Sequence, residues 1–408
     1  MLFQPHRHEQ LISQSWDEAL ARKTIEHIAR DTQQRFSADS FWPMHPKDAE
    51  PSDDPSQPAW PLYFGAAGVI WALHYLQDVG AVEGIGQGNE RFREPLEIVR
   101  LRNREWLSGI PSDETAAYLM GDTPVLLMQQ GSEPSATRGD QLAALIERNL
   151  EHPARELMWG SPGTMLGALF LYERFGEERW ADLYRQCSSR LWQQLAWSEK
   201  HDCRYWTQDL YGQRSTYLDA VHGFVATAFV LIKGKHLLRD EEWQAWQDVI
   251  TTTIARTAVW EGPAVSWHPQ LMHSSHAKPH LMQFCHGSPG FVICLADLPG
   301  ASLDPILFAA GEATWMAGPL AKGSNLCHGT GGNGYAFLKL YQRTGDAQWL
   351  ERARSFAMHG ISQTQSDERE YGQLRYSLWT GDLGFAIYLW DCIRASPAFP
   401  TLDVFYGR

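Results

Sequence analysis

The chain has 408 residues, 44% hydrophobic and 12% aromatic, with a formal net charge of −13. That length accommodates two or three ordinary domains or one large closed architecture. The acidic balance argues against non-specific nucleic-acid binding, which needs a basic face to release counterions, and against docking on anionic membranes.

The N-terminal residues, MLFQPHRHEQ, lack the apolar stretch of a secretory signal, and no run of 18 apolar residues occurs. Six scattered cysteines are too sparse for a disulfide framework and suit a reducing, cytoplasmic setting. Residues 9–36 carry apolar positions at helical spacing (Leu11, Ile12, Trp16, Leu20, Ile28), which predicts a helix there. Pro43, Pro46, Pro51, Pro55, Pro58 and Pro61 follow, and no regular element tolerates them. Residues 1–61 therefore read as a helix and proline-rich arm packing on a body formed by residues 62–408.

From residue 62 one pattern recurs: a glycine, two variable residues, and a second small residue that opens an apolar run. It occurs at Gly65–Gly68, Gly121–Pro124, Gly160–Gly163, Gly223–Ala226, Gly287–Gly290, Gly329–Gly332 and Gly381–Gly384. Trp180, Trp243, Leu307 and Trp349 lie 20 residues after the first glycine of their copies, each with an acidic residue three places earlier (Glu177, Asp240, Asp304, Asp346). Negative charge is favoured at a helix N-terminus, so each unit reads as a glycine turn, an apolar inner helix and an amphipathic outer helix. None of the copies alternates with the period of a strand. The expected fold is all-α, an (α/α) toroid of about seven helical hairpins with an inner and an outer ring. The alternative is an open solenoid, but the spacing between glycines varies from 39 to 64 residues, less regular than stacked repeats usually are. Because every inner helix starts the same way, all seven turns should gather on one rim.

Two copies are preceded by the same dipeptide, Cys285-His286 and Cys327-His328, locked to one register of the repeat. Thiolate and imidazole suit Zn2+, and three protein ligands leave an open position for a thiol to bind as thiolate. A structural zinc would take a fourth ligand from His286, His273, His276 or His280, in a histidine-rich stretch (262–284) that otherwise reads as a site-lining lid. His222 stands at the same register in the fourth repeat and is a candidate general acid or base. Lys322 precedes Cys327 by five residues and is a candidate to steady an anion.

These residues resemble the lanthionine synthetase C-like family, comprising the bacterial cyclases of lanthipeptide synthesis and their eukaryotic homologues. The resemblance covers roughly residues 62–390 and is most specific at FCHGSPG (284–290), KGSNLCHGTGGNGYAFLKLY (322–341), AVHG (220–223) and ELMWGSPG (156–163). The last three look closest to the eukaryotic, glutathione-binding branch. The resemblance implies an α/α toroid with one zinc ion on Cys285, Cys327 and His328, a proton donor at His222, a glutathione-site lysine at Lys322 and an acidic residue at Glu156. His286 is assigned with Lys322 to the thiol donor's side of the site. The implied reaction adds a thiol, from glutathione or a peptide cysteine, to dehydroalanine or dehydrobutyrine in a peptide or protein, giving a thioether. Departures are Phe284 where the family usually has tryptophan, MWGSPG in the third motif, and Ala226 for the usual second glycine. Two other functions compete: a zinc- and glutathione- or peptide-binding module without turnover, and a carbohydrate-active toroid. The last needs opposed carboxylates, and no paired acids mark the rim.

Overall fold

The computed structural model describes residues 2–49, 57–83, 93–110, 113–272 and 280–407. Pro51, Pro55, His273 and His276 lie outside the described residues. The first helix, α1 (Glu18–Arg35), is shorter than the spacing predicts. Asp17 caps it, accepting from the Leu20 N–H at 2.9 Å. Upstream, the backbone is engaged elsewhere: the Glu9 N–H donates to the Pro319 carbonyl and the Ile12 N–H to His359 Nδ1. Amides bonded to the body cannot also close helical turns, so Leu11 and Trp16 pack on the core from an extended strap.

The remaining helices alternate between two layers. The inner layer is α2 (Ala66–Asp78), α4 (Thr123–Ser132), α6 (Ser161–Phe175), α8 (Phe224–Lys233), α10 (Ser288–Leu295), α12 (Thr330–Thr344) and α14 (Asp382–Arg394). The outer layer is α3 (Arg93–Leu107), α5 (Ala136–Asn149), α7 (Glu178–Gln193), α9 (Asp240–Thr257), α11 (Asp304–Ala317) and α13 (Ala347–Tyr371). Each inner helix touches the next, and α14 touches α2. The ring is closed, an all-α toroid rather than an open solenoid. Helix α1 packs against α14, occupying the place of its outer helix. The acidic landmarks stand within one residue of the starts of α7, α9, α11 and α13.

Three short antiparallel hairpins interrupt the helical pattern: β1 (Ala196–Ser198) with β2 (Cys203–Tyr205), β3 (Gln208–Leu210) with β4 (Gln213–Ser215), and β5 (Ala258–Glu261) with β6 (Ala264–Trp267). They lie in the long connections around α7, α8 and α9, where the glycine spacing is widest. Strands of three or four residues are too short for the two-residue alternation to stand out in the sequence.

Among the described residues, backbone hydrogen bonds join the inner-helix turns around the rim at every junction except that between the fourth and fifth repeats. Tyr63 donates to Leu119, Leu119 to Met158, Leu157 to Val221, Cys285 to Cys327, Cys327 to Trp379, and Trp379 back to Tyr63. Such an approach leaves little room for side chains. A Cβ on Gly68 would lie 2.2 Å from the Leu62 carbonyl oxygen and 2.9 Å from the Cβ of Leu378, across the seam where the ring closes. The turn glycines are thus selected by close approach; of the seven first glycines only Gly287 has a left-handed φ, +111°.

The C-terminal segment fills the hole of the ring from the far ends of the inner helices. Phe399 stacks on Phe284 at 4.8 Å beneath the rim, and Phe405 packs against Trp71, Tyr118 and Phe170. Asp403 meets buried Lys339 at 3.0 Å and Lys233 at 3.2 Å, and Lys339 also meets Asp297 at 2.9 Å, so the buried ammonium is paired.

Substituting Gly68→Ala should cost on the order of 3 kcal/mol by overpacking the seam. Gly176→Ala, at φ +68° with open space around it, should cost only about 1 kcal/mol of left-handed strain. Urea unfolding compares them directly; equal losses would mean the seam tolerates a side chain.

Candidate metal centre

The backbone bond from Cys285 N–H to the Cys327 carbonyl, 3.1 Å, brings two turns side by side and sets both thiols on one rim. Ligand atoms of Cys285, Cys327 and His328 all lie within 4.8 Å of one another. Asn325 accepts from the His328 N–H at 3.0 Å, which steadies that turn. Two sulfurs and an imidazole at this separation match the donor set of a metal ion with one coordination position left for another ligand. Cys285 is pushed well up from its ordinary value by its hydrogen bond with Cys327, by burial and by the charge of Cys327. A buried thiol raised in this way ionises readily only when a cation joins it, so the electrostatics at Cys285 also fit a metal.

Among the described residues no fourth His, Cys, Asp or Glu joins this group. His286, weighed as a fourth ligand, instead sets Nδ1 2.8 Å from Asp219 Oδ2, close but off the line of a well-directed hydrogen bond. The ring of His280 lies against that of His268, with centroids 4.2 Å apart.

A second cluster borders the metal group. His222 Nδ1 is 2.9 Å from Glu156 Oε2, and Glu156, fully buried, also accepts from the Met158 and Trp159 N–H groups at 3.0 and 2.6 Å. Burial opposes a charge on His222. The Glu156 hydrogen bond, with the charges of Glu156, Asp219 and Cys285, outweighs that and lifts His222 to about 9. With Nδ1 held by the carboxylate, Nε2 is the nitrogen free to exchange a proton. His286 is likewise raised to about 9: burial opposes its charge, but Asp219 and Cys285 prevail. Burial alone would raise Asp219, yet His286, His222 and the Val221 N–H hold it below its ordinary value. The Tyr217 ring stands beside both imidazoles, at 5.9 and 6.3 Å.

Lys322 is exposed on the loop leading into Cys327, and its carbonyl accepts from Asn325 Nδ2. The site thus gathers Glu156, His222, Cys285, His286, Cys327 and His328 from four repeats, with Lys322 at its margin. Sequence reasoning passed over Asp219, Gln283, Asn325 and Tyr63. The first three share a register with Glu156, four residues before the first glycine, and Asp219 and Asn325, like Glu156, accept backbone N–H groups of their own turns. Tyr63 shares the register of the two cysteines, two residues before the glycine.

Replacing Glu156 with Gln should lower the pKa of His222 from about 9 toward its ordinary 6.5, read by NMR titration of labelled histidine. Because the folded value lies above the unfolded one, the stability this pair contributes is complete below about pH 6.5 and fades as pH rises through about 9. An unchanged titration in the variant would show that Glu156 does not hold the charge.

A family model described as "Lanthionine synthetase C-like protein" matches residues 127–404. The chain is 27% identical over 296 residues to "Glutathione S-transferase LANCL1" of Danio rerio, covering 68% of this chain and 69% of that relative. It is 36% identical over 144 residues to "LanC-like protein GCL1" of Arabidopsis thaliana, 31% of each chain. Among solved structures, "Nisin cyclase" shares the fold at 14% sequence identity, with a TM-score of 0.54 over 91% of this chain and 98% of that one. Family model, relatives and shared toroid agree: the chain belongs to the lanthionine synthetase C-like family.

Proposed function

We propose that this protein binds one zinc ion through Cys285, Cys327 and His328 and adds a thiol to dehydroalanine or dehydrobutyrine in a peptide or protein, forming a thioether. The observation that carries the reading is the convergence of two thiols and an imidazole within 4.8 Å, beside a histidine whose charge a buried carboxylate sustains. A bound zinc would supply the nucleophile by holding the incoming thiol as thiolate at neutral pH. The thiol's proton would leave to solvent when the thiolate forms, and the sulfur then bonds to the β-carbon of the acceptor. The π electrons of the double bond then move toward the acceptor carbonyl, and His222 Nε2 delivers a proton to the α-carbon. Glu156 keeps the imidazolium charged for that step, and water restores the proton afterwards. Lys322, exposed on the loop before Cys327, would pair with a carboxylate of the thiol donor, and His286, oriented by Asp219, would line the same side.

The named activity of the zebrafish relative makes glutathione a reasonable thiol donor, with a peptide cysteine as the other candidate. We further place residues 62–408 in a single toroid on which residues 1–61 pack as an arm, and the protein in the cytoplasm. There its six free cysteines would stay reduced. The partners in view are a thiol donor and a dehydroamino-acid peptide or protein; no helix among the described residues is long and apolar enough to cross a membrane.

Purified protein should carry one zinc per chain by elemental analysis, and Cys327→Ala should lose most of it while retaining helical circular dichroism. Zinc retained at full stoichiometry would remove Cys327 from the ligand set. His222→Gln should keep its zinc but slow thioether formation between glutathione and a dehydroalanine peptide by roughly a hundred- to ten-thousandfold. Undiminished turnover would reassign the proton donor, and absence of turnover in the wild type would leave a binding module.

A further inference from the structure

Each of the two thiols has a neutral hydrogen-bond donor of its own. The Tyr63 hydroxyl donates to Cys327 Sγ at 2.7 Å, and Gln283 Nε2 donates to Cys285 Sγ at 2.9 Å. The donors come from different parts of the ring. Tyr63 belongs to the first repeat and is fixed by backbone bonds to Leu119 and Trp379, with its ring 5.7 Å from that of Trp379. Gln283 is nearly buried and is paired through its own N–H and carbonyl with the backbone of His286, across the loop that carries Cys285.

The orientation of a glutamine amide is ordinarily open to a flip. Here Arg7, from the N-terminal strap, donates to Gln283 Oε1 at 3.4 Å. A guanidinium has donors and no acceptor, so it demands the oxygen and turns the NH2 toward the sulfur. The strap is tied down independently: the Arg7 carbonyl accepts from the Ala321 N–H, and the Glu9 carboxylate meets His359 at 2.7 Å and Gln363 at 2.9 Å.

A hydrogen bond to a thiolate withdraws electron density from the sulfur, lowering its nucleophilicity and its donation to a metal. This matters where three sulfurs, two from the protein and one from the substrate, would share one ion. An electrophilic acceptor could be attacked by any of them, and attack by Cys285 or Cys327 would alkylate the protein and destroy the site. On the zinc reading proposed above, we infer that Tyr63 and Gln283, the latter oriented by Arg7, are positioning residues that mask the two ligand thiolates, so that the substrate's sulfur, which neither donor meets, is the one that reacts.

The test uses full-length protein loaded with Co2+ in place of zinc, with iodoacetamide as the electrophile and peptide mass mapping as the readout. Tyr63→Phe should raise alkylation of Cys327 roughly three- to tenfold and leave Cys285 unchanged. Gln283→Met should do the reverse, and Arg7→Met should raise Cys285 alkylation by a smaller factor, since the amide is then free to turn. In each variant the sulfur-to-cobalt charge-transfer band should move to lower energy at full Co2+ stoichiometry, a signature that loosened packing alone would not give. Unchanged rates and an unmoved band in Co2+-loaded variants would overturn the masking role while leaving the metal reading intact. Failure of the wild type to take up Co2+ would overturn the metal reading, and this inference with it.

Discussion

Adjacent turns of the ring approach closely enough to share backbone hydrogen bonds, and the organisation of the molecule follows from that contact. The Cys285 N–H reaches the Cys327 carbonyl and the Cys327 N–H reaches the Trp379 carbonyl. These bonds fix the positions from which the two thiols project, before any side-chain interaction is considered. A small residue is required at the head of this inner helix, because a Cβ on Gly332 would lie 1.8 Å from the Leu326 carbonyl oxygen of its own turn and 3.2 Å from the Phe284 Cβ of the neighbouring one. Gly332 is therefore a packing requirement at the turn that carries Cys327 and His328. The same contact at Gly68 and Leu378 closes the ring between its first and last repeats.

A rim built on backbone bonds needs a floor. Seven apolar inner helices enclose a space that their own side chains do not fill, and the C-terminal segment occupies it with Phe399 and Phe405. Phe284, the residue before Cys285, lies nearly flat against Phe399. Lys339 and Asp403 pin the tail with a buried charge pair that has a second carboxylate at Asp297.

Electrostatically the rim divides into two halves. One holds soft ligands, among them Cys285, whose thiol is held protonated by its hydrogen bond with Cys327 and by burial. The other holds two imidazoles kept protonated by buried carboxylates, Glu156 behind His222 and Asp219 close to His286. Placing positive imidazoles beside buried carboxylates balances charge where an unpaired one would be costly. The two halves come from repeats that are neighbours in sequence.

The amino-acid sequence by itself determined the repeat, the inner and outer helices, and the register that placed both cysteines, His328 and His222 on a common rim. Those features are local: glycine spacing, apolar runs and helix-start charges are written within each copy. The three hairpins and the true start of α1 were not legible. Strands of three or four residues carry too little pattern, and residues 9–17 have helical spacing that long-range bonds to Pro319 and His359 override. Tertiary structure alone decided that α1 backs α14, that the tail fills the ring, that Tyr63 reaches Cys327, and that Arg7 reaches Gln283. Each of these joins residues that are hundreds of positions apart or lie in different repeats. No spacing rule within one repeat can encode such a contact; it exists only once the ring has closed and brought the first repeat against the last.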